Sequence, residues 1–120
     1  MVCGLGNDII EVHRIEEAIK RNHNFLHKIY SEAEVNCFEG NYQSLAGNFA
    51  AKEAVAKALG TGFRGFEASD IEILRDNLGK PYVNLYNGAK ALYEEQGING
   101  ICVSVSHTKD YAVATCILEK

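Results

Sequence analysis

The sequence predicts an α+β fold, with one long helix and shorter helices packed on an antiparallel sheet of hairpins. Three observations point there. Apolar residues recur at helical spacing through most of the first half, and β-prone runs broken by turns fill the second. The two patterns never alternate regularly, as a doubly wound fold would require. At 120 residues the chain has room for one domain, 1–120, and one core.

Val2–Val12 is rich in β-branched residues and is interrupted by Gly4 and Gly6, which reads as a strand entering a tight bend. Ile15, Ala18 and Ile19 then recur at helical spacing, so an amphipathic helix spans His13–Asn22. After a break at Asn22–Asn24, Phe25, Leu26, Ile29 and Tyr30 continue an apolar face. Ser31-Glu32-Ala33-Glu34 has the form of a capping box and starts another short helix. Gly40-Asn41 separates it from the long helix, roughly Tyr42 to Leu59, which Gly60 ends in a left-handed cap. Beyond Gly65, Ile71 and Ile73 mark a strand, Asp76–Lys80 a turn, and Tyr82, Val83, Leu85 and Tyr86 the returning strand. Ala89, Leu92 and Tyr93 mark a short helix ended by Gly97, and Ile101–Ser106 pairs with Tyr111–Leu118 in a last hairpin.

Composition narrows the function. The formal charge of −4 disfavours a nucleic-acid binder, and no apolar run approaches the ~20 residues that span a bilayer. No secretory signal is visible, and none of Cys3, Cys37, Cys102 and Cys116 forms a C-x-x-C pair or lies at zinc-ligand spacing. Reduced thiols and a cytoplasmic location follow, with Cys3, Cys102 and Cys116 expected to act as small buried hydrophobes in strands. Between His13 and Lys28, Arg14, Lys20, Arg21 and Lys28 face only Glu16 and Glu17 as acids, which suits an acidic partner or an ordinary solvated helix face.

The richest segment is Phe49–Gly62, FAAKEAVAKALGTG. Glu53 and Lys57 lie one turn apart on one helix face, where they could hold a divalent metal and a phosphate. The same spacing also fits a surface ion pair worth ~0.3–0.5 kcal/mol. The glycines of Gly60-Thr61-Gly62 follow the helix instead of preceding it, so this is no Walker loop. Asp8 ends a glycine-flanked strand, where another group can approach closely or the carboxylate can cap the next helix. His107 alone reads as a turn histidine. The absence of a G-x-S-x-G elbow argues against a serine hydrolase.

Three blocks, Gly4–Ile15 with G-x-D and an R-I pair, FAAKEAVAKALGTG, and Ser104-Val105-Ser106-His107-Thr108, stand in an order that resembles the holo-acyl-carrier-protein synthases, the small bacterial phosphopantetheinyl transferases. Gly79-Lys80-Pro81 matches a further family element. The resemblance implies transfer of the phosphopantetheine arm of coenzyme A to a serine of apo acyl carrier protein, in support of fatty acid synthesis. It implies Mg²⁺ bound by Asp8 and Glu53, with Lys57 beside the phosphates. The serine proton goes to a bound water or to one of the carboxylates. Gly60, Thr61, Gly62, Pro81, His107 and Thr108 would contact coenzyme A, and Arg14 and Arg21 the carrier. The family also implies a homotrimer with the site where subunits meet, consistent with apolar residues on both faces of the last hairpin. One departure is Asn48, which stands where many family members carry a basic residue, so phosphate contacts would come from elsewhere, such as Lys52, Lys80 or Lys109. The alternative is a carrier-binding module without catalysis.

Overall fold

The computed structural model describes residues 1–120 and has the α+β architecture expected. Strand β1 (Val2–Glu11) runs into α1 (Val12–Arg21), α2 (His23–Ile29), α3 (Glu32–Phe38) and the long α4 (Tyr42–Leu59). A 3-10 turn (Ala68–Asp70) leads into β2 (Ile71–Arg75) and β3 (Pro81–Leu85), followed by α5 (Asn87–Glu95), β4 (Gly100–His107) and β5 (Tyr111–Glu119). The strands form two antiparallel sheets, β1-β5-β4 and the β2-β3 hairpin. Pairing of the first strand with the last is a long-range event that no local pattern announces. Its register sets Asp8 opposite Ala114 and Glu11 opposite Tyr111.

Local signals placed most boundaries. Ser31 accepts from the Glu34 amide while the Glu34 side chain accepts from Ser31, completing the capping box. Gly60 closes α4 at φ 87°, a left-handed conformation that glycine adopts without steric penalty. Helix α4 is not amphipathic: Ala50, Ala51, Ala54, Val55, Ala56 and Leu59 are all buried, and it runs through the middle of the molecule. One side of its core faces the three-stranded sheet and the other side of the molecule is filled by Val12, Ile15, Leu26, Tyr30 and Val35 from α1–α3.

Small residues set the distance between α4 and the sheet. A Cβ on Gly6 would lie 1.8 Å from the Ala54 carbonyl oxygen, and one on Gly4 would lie 2.6 Å from that of Ala58. The backbone of β1 therefore rests on the backbone of α4. Gly6→Ala is expected to cost at least ~1–3 kcal/mol by overpacking, because the obstruction is main chain and not a yielding side chain. Since Gly6 precedes Asp8 by two residues, activity should fall with the melting temperature. A variant with wild-type melting and turnover would contradict this account.

The cysteines differ from expectation. Only Cys116 is buried, and burial pushes its thiol up to about 12, with Cys102 adding to the shift. Cys3 and Cys102 lie in strands but are exposed, because their register turns them to the outer face of the sheet.

Candidate active site

Strand β1 and helix α4 bring Asp8, Glu53 and Lys57 together. The surface-pair reading of Glu53 and Lys57 does not hold. Lys57 Nζ donates instead to Asp8 Oδ1 at 3.1 Å and to the Asn7 carbonyl at 3.0 Å, crossing from helix to strand. Glu53 is partly buried, and its carboxyl pKa is raised first by burial, then by the charge of Asp8, with Lys57 opposing. A partly buried carboxyl held up by a neighbouring carboxylate, with the one ammonium bonded to Asp8 and not to Glu53, forms a place of unmet negative charge.

That geometry suits a particular class of ion. No cluster of three His, Cys, Asp or Glu side chains exists in the fold, so a cation held wholly by protein is not on offer. A pair of carboxylates fits Mg²⁺, which binds through one or two of them and completes its shell with water and substrate phosphate oxygens. Beside Glu53 opens an apolar cleft of about 340 Å³ lined by Phe25, Ile29, Phe49 and Phe63, with Lys28 at its edge. Glu53 is itself part of the wall of this cleft.

The remaining predicted residues fall in three places. Gly60-Thr61-Gly62 forms the bend that ends α4, with the Gly60 amide bonded to the Lys57 carbonyl. Pro81 and His107 meet in a second cleft, of about 210 Å³, with Gln43, Ser44 and Gly47 of α4 and Arg75 of β2. Thr108 does turn work: its hydroxyl accepts from the Tyr111 amide, and its own amide donates to the Tyr111 carbonyl. Asp8 lies on edge strand β1 and His107 on edge strand β4, so the two clefts belong to opposite edges of the sheet. On α4, Ser44 and Glu53 are nine residues apart, which places them on opposite sides of the helix.

Arg14 and Arg21 are both exposed on α1 but are not equivalent. Arg21 bonds Glu17 at 3.4 Å and Lys20 bonds Glu16 at 3.0 Å, while Arg14 has no acidic partner. His13 also contacts Glu17.

Lys52 corrects the expectation that it could reach nucleotide phosphates. It is fully buried and bound to Glu34 at 2.6 Å, with further bonds to the Ala68 and Ile71 carbonyls. Asn48, also fully buried, donates to Glu34 and to the Ile73 carbonyl and accepts from Arg75 Nη2 at 2.9 Å. Sequence reasoning missed Arg75. The only signal was the gap left at Asn48, and a partner on another element could not be named without the fold.

Comparison with known proteins places this arrangement. The model of the 4′-phosphopantetheinyl transferase superfamily matches residues 4–116. The chain belongs to that superfamily. A holo-[acyl-carrier-protein] synthase of Alkaliphilus oremlandii is 50% identical over 98% of this chain and 98% of its own. The crystal structure of the synthase from Neisseria meningitidis superposes with a TM-score of 0.92 at 37% identity, covering 100% of both chains. That of Helicobacter pylori, in complex with coenzyme A, superposes with a TM-score of 0.87 at 31% identity over 96% of this chain and 99% of that one. All five sequence-predicted strands and all five α-helices therefore sit in a superfamily fold, with Asp8, Glu53 and Lys57 gathered at one edge of its sheet.

Proposed function

We infer that the protein is a holo-[acyl-carrier-protein] synthase, with residues 1–120 acting as one phosphopantetheinyl transferase domain. It transfers the phosphopantetheine arm of coenzyme A to a serine of apo acyl carrier protein and releases adenosine bisphosphate. The observation that carries this is the convergence of Asp8, Glu53 and Lys57 in a chain half identical, end to end, to such synthases. The carrier so charged serves fatty acid synthesis. With no helix long and apolar enough to cross a membrane, we place the enzyme in the cytoplasm.

Asp8 and Glu53 would hold Mg²⁺, which when bound offsets charge on the pyrophosphate of coenzyme A. Lys57, kept at the site by Asn7 and Asp8, sets an ammonium beside the phosphate oxygens. Gly60, Thr61 and Gly62 let the backbone approach coenzyme A after the last turn of α4, and Pro81, His107 and Thr108 line its nucleotide end. Incubation with apo acyl carrier protein, coenzyme A and Mg²⁺ tests the whole reading. The carrier should gain the mass of one phosphopantetheine group, and should not without metal. Binding of the carrier with no mass gain would support the non-catalytic alternative.

The homotrimer is the assembly that the family implies, and the two clefts at opposite edges of the sheet would let a neighbouring subunit set its β4 edge against the β1 edge of the first. The outer sheet face also calls for cover: Leu5, Ile9 and Tyr111 are 66%, 63% and 50% exposed, and Val113 and Ile117 lie between them on β5. Val113→Glu is expected to reduce trimer and activity together. Sedimentation of a fully active monomer would refute the shared site.

Arg14 and Arg21 would dock an acidic helix of the carrier, and the apolar cleft beside Glu53 offers the uncharged part of that surface. Arg14, which has no internal partner, should matter more than Arg21. Arg14→Glu is expected to raise KM for the carrier by roughly tenfold, in line with a few kcal/mol at most for a charge at an interface rim. KM for coenzyme A should not move, and added salt should weaken the wild type in the same direction.

A further inference from the structure

Helix α1 carries an acid on the face that presents its arginines. Glu17 follows Arg14 by three residues and precedes Arg21 by four, so its carboxylate stands between the two guanidiniums along one side of the helix. All three side chains are exposed. Both oxygens of Glu17 are engaged: Oε1 contacts His13 one turn before it, and Oε2 accepts from Arg21 Nη2, at 3.4 Å, one turn after it. One carboxylate thus ties two bases down over two turns of helix.

The other acid of α1 is differently placed. Glu16 accepts from Lys20 at 3.0 Å, and the Lys20 ammonium also lies 5.6 Å from the centre of the Tyr42 ring, so this pair leans on α4. The contacts of Glu17 are all with its own helix. Arg14 and Lys28 form no ion pair, whereas Arg21 is held by Glu17. An exposed pair of this kind adds little to stability, and an acid arriving from another protein competes for the same donors.

We propose that Glu17 is a built-in competitor for the acidic helix of the carrier, keeping the affinity of α1 below what its cations alone would give. This rests on the reading that Arg14 and Arg21 dock that helix. The incoming carboxylates meet a like charge in the middle of the face and must displace Glu17 before they can bond Arg21. Weakened docking has a use in the reaction. Transfer alters one serine of the carrier and leaves its acidic residues as they were, so a stronger basic face would hold product and substrate alike.

Glu17→Gln keeps the size of the side chain and removes its charge. KM for apo acyl carrier protein, and Kd from calorimetry, should fall about three- to tenfold, the combined scale of a surface ion pair and of a like charge taken from an interface rim. Holo carrier should become a stronger inhibitor by the same factor, and KM for coenzyme A should not move. In an Arg21→Gln background the gain should shrink, because the donor in dispute is gone. A merely structural Glu17 predicts the opposite sign, since loss of its pairs would fray α1 and weaken the carrier. An unchanged or raised Kd overturns the proposal, and so does an equal gain with and without Arg21. Arg14→Glu, measured alongside, separates this failure from that of the docking reading. If it weakens the carrier while Glu17→Gln does not strengthen it, α1 docks the carrier and Glu17 is no competitor. If neither variant moves carrier binding, the docking reading fails and takes the proposal with it.

Discussion

Glu53→Gln is expected to lower phosphopantetheine transfer by ~10²–10³-fold, the scale on which loss of a preorganised electrostatic contact acts, and to leave the metal-free fold intact. The amide keeps the shape of the carboxylate but removes one of two charges that converge at the β1 edge. Asp8→Asn should behave similarly in turnover, although it also weakens the hold on Lys57 Nζ, 3.1 Å away. Stability separates a functional from a structural role. The Glu53 carboxyl has a raised pKa in the fold, so the folded state binds its proton more tightly than the unfolded chain does. That contribution is fully present below the unfolded value near 4.5 and is lost as pH rises through the folded value. The charge of Asp8 and partial burial both disfavour the charged form of Glu53, and glutamine relieves this. Thermal melting of metal-free Glu53→Gln at pH 7 should therefore match or exceed wild type while turnover falls. Added Mg²⁺ should raise the wild-type melting temperature and not that of the variant. Near-normal turnover at limiting Mg²⁺ would place the metal elsewhere.

Local chemistry made most of the fold legible. The Ser31–Glu34 capping box, Gly60 after the long helix and the Asp76–Lys80 turn act within a few residues and fix ends of α3, α4 and the β2-β3 hairpin. Pairing of β1 with β5 was not legible, since residues more than a hundred positions apart carry no mutual pattern. The 3-10 turn at Ala68–Asp70 is too short for a periodic signal. At the site, Glu53 and Lys57 were visible as an i, i+4 pair, yet their actual relation is through Asp8. Helical spacing gives proximity along one element, whereas the partner of Lys57 is set by how closely Gly6 lets β1 approach α4. Lys52 was misread for the opposite reason. A lysine in an alanine-rich helix looks solvent-facing until α3 and β2 close over it.

Lys52→Met is expected to cost ~3–5 kcal/mol of stability, the range for removing one partner of a buried ion pair. Lys52 Nζ has three donors, and the fold uses them on Glu34 Oε1 at 2.6 Å, the Ala68 carbonyl at 3.1 Å and the Ile71 carbonyl. The ammonium also lies 5.5 Å from the centre of the Tyr30 ring. Methionine fills much of the same volume, so packing alone predicts a small loss. The penalty comes from leaving the Glu34 carboxylate, 0% exposed, without its cation. Because total stability of a domain is only ~5–15 kcal/mol, the melting temperature should drop by about 10–20 °C. Glu34→Gln added to Lys52→Met removes the stranded charge and should recover part of the loss, a coupling that a double-mutant cycle measures directly. The pair lies within the fold, and the ammonium we propose for the site is that of Lys57. At a temperature where Lys52→Met remains folded, kcat should therefore stay close to wild type. A cost within the ±0.5 kcal/mol of ordinary surface changes would show that the pair is dispensable. A large fall in kcat without loss of stability would instead move Lys52 into the chemistry, against its burial beneath α3 and β2.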